Sequence, residues 1–501
     1  MFFRPIRVAT LRSYPDLAAQ QLLATMFDQE EIDMLRVGTG REEFTPPVGI
    51  AHTLWGARTH EVADRIHLPL FATALCLESD GQTVMIVDVD VTGFPTPVAD
   101  EFRAEIASAT GITPTHISIA ATHTHSAPVW NAETSNGASA DLPGMHLMPA
   151  YRNRVRDAVR EAAIKAHSAL RPARMAAAYG KSEVTMHRRY RTAEGRVVVS
   201  KNEGGERDTT LSLVRFDDLD GETIASIVGY GTHPIVLAHQ NSSISSDFPG
   251  VLKHSIESLV GGTCIFLQGC AGDQIPYDAL TGDVRVAEKI GRRLAADAAS
   301  TLLALEPAPY EESFSHVVES GAPLGLWNRT YLPDSPVRVA VRAVTVALPV
   351  RAFEPIESLE RKAAQTRSEF LGLDRGTSTP EHFADLHFRA RRADMLLGMA
   401  KRAQGTVSVP IEIRAIRIGD AVFVTAPMEL FAATGKAIRQ ASSFAVTFVG
   451  GYTNGTEGYL PLRETFDEGG YEAELASYVS PKAEAVFRDA ACALVLDINR
   501  S

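Results

Sequence analysis

The chain has 501 residues, enough for two or three lobes around a sizeable core. Hydrophobic residues make up 45% and charged residues 22%, the balance of an ordinary soluble globular protein, so long disordered tracts are not the default expectation. A formal net charge of -12 argues against nucleic acid or an anionic membrane surface as a partner.

The chain opens Met1-Phe2-Phe3-Arg4-Pro5-Ile6-Arg7, but Tyr14-Pro15-Asp16 interrupts any apolar signal-peptide core. No stretch approaches the about 20 apolar residues of a spanning helix, so stable membrane insertion is not expected and a cytoplasmic location is. Leu17, Leu22, Leu23 and Met26 recur at helical spacing, and residues 1–44 read as a helical lead-in, with the helix over 14–40. Thr45-Pro46-Pro47 then opens the main domain, residues 45–490. The four cysteines, Cys76, Cys264, Cys270 and Cys492, form no CxxC and read as small buried hydrophobes rather than a disulfide framework.

Strand-like runs at 70–77 and 83–91 are followed by a helical pattern at 98–109 and by Ile117-Ser118-Ile119-Ala120-Ala121. The run Val84–Asp90 is nearly continuous apolar, as in a strand buried on both faces. This β-α-β rhythm predicts an α/β fold, a mixed sheet core flanked by helices. Residues 131–149 read as a loop and 148–168 as an amphipathic helix. Strands follow at 210–216 and 222–230, an apolar run at 263–267, and a helix at 284–305. Phe314–Val350 reads as a strand-rich insertion, 381–402 as a charged helix, and 411–424 and 443–450 as further strands. Residues 314–405 are a candidate insertion or lid. The basic residues of 381–402, among them Arg389, Arg391 and Arg392, read as a solvated face.

Chemistry enters at the strand ends. Thr122-His123-Thr124-His125-Ser126 follows the apolar run 117–121. If the strand continues, alternation puts His123 and His125 on one side. Two imidazoles do not complete a metal site. A third histidine, His233, ends the run 222–230 in Gly231-Thr232-His233-Pro234. Glu429 follows Thr425-Ala426-Pro427-Met428 and opens an apparent helix. Gly451-Tyr452-Thr453-Asn454 and Gly458-Tyr459 follow the strand near 443–450. In α/β sheets, ligands bind beyond the carboxyl ends of strands, so these groups suit one shared site.

Several elements carry a resemblance in a consistent order. They are Ala121–Pro128, Gly231–Pro234, Ser246-Asp247 with Gly250, Gln268–Asp273 with Pro276, Pro427 with Glu429, and Gly458-Tyr459 with Tyr471-Glu472. Together they resemble the catalytic domain of the neutral (non-lysosomal) ceramidases. That resemblance implies one zinc per chain, held by His123, His233, Glu429 and Tyr459, with Tyr452 a competitor for the tyrosine. It implies a supporting shell around the scissile amide of His125, Arg188 and Tyr471, with Arg189 the rival to Arg188. It implies a nucleophile in either an activated water or Ser246, beside Ser245. The expected substrate is a small-molecule or lipid-like N-acyl compound with a linear amide.

Departures shape the expectation. The element at His187-Arg188 has His where the family has Asn, and Asp247 is followed by Phe248 instead of Asn. No C-terminal β-sandwich domain is expected. A smaller or more soluble amide than long-chain ceramide therefore fits better. The same site acting on an ester, lactone or cyclic amide is the nearest alternative, and a non-catalytic metabolite- or lipid-binding homologue is another. Ser126-Ala127 after the HxH lacks the Asp-His of metallo-β-lactamases, and the late glutamate does not fit an amidohydrolase barrel. The sequence leaves homo-oligomer formation open.

Overall fold

The same local unit occurs three times. In each, a buried strand leads through a helix to a parallel neighbour. Gln82–Val89, helix Thr96–Thr110 and Ile117–Ala121 make the first unit. Thr223–Tyr230, helix Asp247–Val260 and Thr263–Gln268 make the second. Ala421–Thr425, helix Ala432–Ala441 and Val446–Gly450 make the third. This computed structural model describes residues 34–58, 60–131, 142–374 and 378–500.

Each unit sits at one edge of a separate mixed sheet, and the other neighbouring strands are antiparallel. The first sheet continues through Phe71–Ser79 and Arg36–Glu43 to the short strand Arg171–Pro172. The second continues through Thr210–Asp217 to Arg174–Lys181. The third continues through Ser408–Ile418 to Val339–Pro349. The run Val84–Val89 is buried throughout, as its unbroken apolar sequence requires. Leu75, Val214, Ile265, Phe423 and Phe448 belong to one core shared by the three sheets. Helices cover the outer faces: 96–110 and 148–168 on the first sheet, 247–260 and 284–304 on the second, and 483–500 on the third. The α/β expectation holds.

Isolated bridges tie the three units together at their carboxyl ends. Ala120 pairs with Thr453, and Gly269 with Gly450. Gly269 permits the approach, since a Cβ there would lie 2.9 Å from Gly231 N. Histidine, carboxylate and tyrosine loops from distant parts of the chain are thereby brought to one place.

Several local readings need correction. Residues 36–43 form a strand of the first sheet, not the end of a lead-in helix. Gly38 and Gly40 explain both the misreading and the fold. They weaken the apolar pattern, yet a Cβ at either would come 2.2 Å from a carbonyl of helix 148–168, Ala166 O or Ala162 O. The main domain therefore begins before residue 45. Residues 1–33 lie outside the described residues, and so does 132–141 of the expected 131–149 loop. The single strand read over 411–424 is two antiparallel strands turning at Gly419-Asp420. The 314–350 segment also divides. Tyr310–Val318 and Leu324–Tyr331 make an exposed hairpin, whereas Val339–Pro349 belongs to the third sheet. Residues 355–405 hold two helices, Ile356–Leu371 and Pro380–Ala403. From the second, Arg391 donates to Leu54 O at 3.2 Å, so this arginine is not part of a solvated face. Cys76, Cys264 and Cys270 are buried, Cys492 is partly buried, and none is in a disulfide. No described helix is long and apolar enough to cross a membrane.

Candidate metal centre

The strand Ile117–Ala121 stops before the HxH pair, so alternation along a strand does not explain how the two imidazoles meet. His123 instead adopts a left-handed backbone conformation, φ 67°, which costs energy for a residue with a Cβ. Its amide bonds Val91 O, and His125 N bonds Pro234 O in the loop that carries His233. Two strand-end loops are thus laced together. Tyr452 and Asn454, in the loop of the third unit, are also left-handed, at φ 58° and 60°.

The result is a cluster of three imidazoles. One nitrogen from each of His123, His125 and His233 lies within 4.8 Å of the others. His123 Nε2 is 3.0 Å from His233 Nε2 and 3.1 Å from His125 Nε2. His123 donates its Nδ1–H to Thr92 O, which leaves a lone pair on Nε2. That single lone pair can accept one N–H. Two nitrogens face it, so one contact has no hydrogen bond to make. At His233 the two neighbours of Nδ1 oppose each other: Ala271 O at 3.0 Å favours an Nδ1–H, and the Arg188 Nη1–H at 3.0 Å favours a bare Nδ1. A cation between the nitrogens resolves the mismatch. Tetrahedral zinc with bonds of about 2.0–2.1 Å separates two imidazole nitrogens by roughly 3.3 Å, close to these spacings. Backbone carbonyls holding the far nitrogen of a ligating histidine are the usual second-shell arrangement.

Glu429 approaches the same atoms. Its Oε2 is 3.7 Å from His123 Nε2 and 3.8 Å from His233 Nε2. Residues 429–430 form a two-residue parallel ladder with 459–460, in which Glu429 is paired with Tyr459. Glu429 is therefore in a short strand, not at a helix start. Tyr452 donates to Glu429 Oε2 at 3.3 Å, so both tyrosines weighed from the sequence border this carboxylate. Burial raises the Glu429 pKa to about 7, against the lowering influence of Tyr459, Arg188 and Tyr452. Burial lowers His123 to about 3 and holds His125 and His233 well below the usual imidazole range, with Arg188 adding repulsion at each. The imidazoles are neutral at pH 7, as metal ligation requires.

Arg188 lies beneath this centre, 2% exposed. Its Nη2 donates to the Tyr459 hydroxyl at 2.8 Å, its Nη1 is 3.0 Å from His233 Nδ1, and its Nε donates to Glu472 at 3.0 Å. Burial opposes the charge, but Tyr459, Glu472 and Glu429 outweigh it and keep the guanidinium proton firmly held. The neighbouring Arg189 donates to the other Glu472 oxygen at 2.5 Å and to Glu468 at 3.1 Å. Arg188, not Arg189, therefore faces the histidines. Glu472 appeared in the sequence only as part of a Tyr-Glu pair. Its burial as the shared partner of two consecutive arginines was not legible there.

Tyr471 stands at the rim, 40% exposed, with its ring 5.7 Å from that of Tyr459. Trp55 packs against His125 from another loop, their ring centres 5.5 Å apart. Nothing in the sequence singled out Trp55. Ser246 is buried before helix 247–260, with its Oγ against Gly250, where a Cβ would be 1.8 Å away. Among the described residues Ser246 makes no hydrogen bond to the histidines. Ser245 Oγ is bonded to His67 and to Asp247 N.

Residues 35–269 match the family model described as "Neutral/alkaline non-lysosomal ceramidase, N-terminal". The chain is similar to the neutral ceramidases. It is 24% identical over 240 residues to neutral ceramidase A of Dictyostelium discoideum, covering 45% of this chain and 32% of that protein. It thus spans about a third of that relative. The neutral ceramidase from Pseudomonas aeruginosa superposes with a TM-score of 0.64 at 19% identity, over 93% of this chain and 75% of that one. A ceramidase complexed with C2 gives the same TM-score at 18% identity, with the same coverage. The neutral ceramidase fold therefore extends over nearly the whole chain. The family-model match includes His123, Arg188, His233 and Ser246, and ends before Glu429 and Tyr459.

Proposed function

We propose that this chain is a zinc-dependent hydrolase cleaving a linear amide bond in an N-acyl compound. The observation that carries the reading is the meeting of three Nε2 atoms around one available lone pair, with Glu429 beside them. In this reading His123, His233, Glu429 and Tyr459 hold the ion, one per chain, and zinc supplies a Lewis acid when bound. Neutral imidazoles and a carboxylate are a suitable donor set, and Arg188 lowers the cost of ionising the Tyr459 phenol.

The remaining residues orient and neutralise. Arg188, buried and fixed by Glu472, presents positive charge where the amide carbonyl gains negative charge. His125 lies within reach of the same region and moves a proton there, since its Nε2 is at the cluster and its ring is backed by Trp55. Tyr471 flanks the carbonyl from the rim. Water oxygen adds to the carbonyl carbon, the C–N bond breaks, and the departing amine takes up a proton. The products are a carboxylate and an amine. The position of Ser246, against Gly250 and without a bond to the histidines, favours water over serine as the nucleophile.

Esters and lactones present the same carbonyl, and amide cleavage is favoured here by the likeness to ceramidases. The test is metal content together with hydrolysis of matched N-acyl amines and esters by wild type and His123→Ala. About one zinc per chain and His123-dependent amide cleavage are expected. A folded protein that binds no zinc would overturn the reading. Cleavage of esters alone would move the activity to the alternative.

A further inference from the structure

The hairpin of Tyr310–Val318 and Leu324–Tyr331 leaves the body of the molecule as an arm. Its strands pair with each other and, among the described residues, with no further strand. A two-stranded hairpin alone is marginal in water and gains stability by packing on something else. Cross-strand partners share a face, and alternate rows return to it. The rows Tyr310–Tyr331, Glu312–Arg329 and Phe314–Trp327 therefore form one face. Their contacts agree. Ring centres are 6.1 Å apart in the first row and 5.8 Å in the third, and the Arg329 guanidinium lies 3.7 Å over Tyr310. The face is aromatic and open to solvent, with Trp327 and Tyr331 each 63% exposed and Phe314 53%. Val317, Leu324 and Leu326 carry exposed apolar surface on toward the tip.

A hollow of about 1010 Å³ opens at the root of this arm. Pro309 and Pro333, on either side of the hairpin in sequence, both line it. Met34, Met175, Val337 and Ala445 form apolar parts of its wall. The arm does not fill it, since the aromatic rings of the arm stay exposed. The hollow also borders Gly419 and Asp420, so it lies at the amino ends of strands 421–425 and 446–450. Glu429 and Tyr452 follow the carboxyl ends of those strands. A five-residue strand, about 17 Å long, thus separates arm and hollow from the histidine side.

A projecting apolar arm and an apolar hollow at its root, together on one surface, are the two halves of a reciprocal contact. In a two-fold pair the same surface meets itself, so the arm of each copy enters the hollow of the other. The area suffices. Aromatic side chains cover about 150–250 Å² each, so the exposed parts of Phe314, Trp327 and Tyr331 amount to roughly 300–400 Å² per copy. With an equal area of hollow covered, two such contacts exceed the about 1,000 Å² of a specific interface. Charge argues against an anionic lipid surface as the occupant. The acids Glu311, Glu312 and Glu319 outweigh Arg329, and Glu319 lies in the turn at the tip. We propose that this surface joins two copies of the chain, the Phe314–Trp327 arm of each seated in the hollow bounded by Met175, Val337 and Ala445 of the other. The proposal is independent of the amide-hydrolase reading.

Sedimentation equilibrium of the full chain at micromolar concentrations tests this. Wild type should sediment as two chains. Trp327→Ser removes the most exposed ring of the arm, and Ala445→Arg sets a long charged side chain at an exposed edge of the hollow. Circular dichroism checks that both variants fold. Each should weaken association at least 100-fold. A mixture of the two decides the geometry. Trp327→Ser keeps an intact hollow and Ala445→Arg an intact arm, so a mixed pair recovers one of the two contacts. With one variant fluorescently labelled, the mixed pair should bind at least tenfold more tightly than either variant binds itself. A wild type that stays monomeric, a dimer unmoved by both variants, or a mixture no tighter than the single variants would overturn the proposal. Binding of a monomeric chain to phosphatidylcholine vesicles, lost in Trp327→Ser, would make lipid the occupant instead. An Ala445→Cys thiol shielded from reagent in a monomer would give the hollow to residues 1–33.

Discussion

Arg188 donates to the Tyr459 hydroxyl at 2.8 Å and sits 5.3 Å from the centre of the same ring. One guanidinium thus meets the phenol by hydrogen bond and by face, while its other nitrogens reach His233 and Glu472. A lysine ammonium cannot span three such partners. Arg188→Lys should retain zinc and lose about 100-fold in kcat/KM on a cleavable amide, the scale of one lost oxyanion donor. Metal analysis and steady-state kinetics on the same sample check this. Loss of the metal along with the rate would mean that Arg188 chiefly maintains the ligands.

Glu472 is the shared counter-ion of Arg188 and Arg189, and all three are buried. Removing one partner of a buried ion pair costs about 3–5 kcal/mol, because the remaining charge stays out of water. Glu472→Gln should lose stability on that scale in urea unfolding. A change below about 1 kcal/mol would show that water or Glu468 replaces the lost charge.

The imidazoles should divide into two kinds. His123 and His233 have Nδ1 set against the carbonyls of Thr92 and Ala271, whereas His125 has an aromatic neighbour, Trp55. Carbonyl-buttressed rings are the better ligands. His123→Ala and His233→Ala should weaken zinc binding by at least 100-fold, and His125→Ala by less than tenfold while hydrolysis falls. Competition against a chromophoric chelator gives the affinities. Equal losses in all three would indicate a three-histidine site.

His52 supplies a pH test away from the centre. It is 2% exposed and its ring meets His60 at 2.8 Å. Burial, with repulsion from His60, lowers its pKa from 6.5 to about 4. The unfolded chain therefore takes up this proton between those values while the folded chain does not. Stability should fall as pH is lowered through that window, by about 3 kcal/mol for this group, and recover above pH 7. Subtracting the denaturation midpoints of His52→Gln from those of wild type at each pH isolates the effect. A difference that does not vary with pH would refute it.

Gly40→Ala tests the close contact between the first sheet and helix 148–168. Its Cβ would meet Ala162 O at 2.2 Å, and the obstacle is backbone that cannot rotate away. Overpacking of this kind costs about 1–3 kcal/mol. Thermal unfolding measures the loss, and an unchanged midpoint would show that the helix shifts freely.

What the sequence disclosed depended on how local each signal was. The run Val84–Val89 and the helix Met148–Ser168 announce themselves because hydrophobic periodicity acts over a few residues. Strand 36–43 does not, since its two glycines answer to a helix more than a hundred residues away. The same contrast holds at the centre. His123 and His233 stand out at strand ends beside Thr and Pro, but nothing near Tyr471-Glu472 reveals that the glutamate secures two arginines. Trp55 and Arg391 act across loops and helices, and only three-dimensional packing connects them to His125.

The sequence distance between Arg188 and Glu472, 284 positions, has a consequence for biosynthesis. At about 5–20 residues per second, a ribosome needs roughly a quarter of a minute to a minute to make that stretch. Until then the emerging chain holds the two arginines and the histidines without Glu429, Glu472 or Tyr459. The first two strand-helix-strand units can collapse early, yet their loops enclose positive charge that awaits its acidic partners. The arginines and histidines thus gain their acidic partners only when the last part of the chain, from Glu429 to Glu472, has been made.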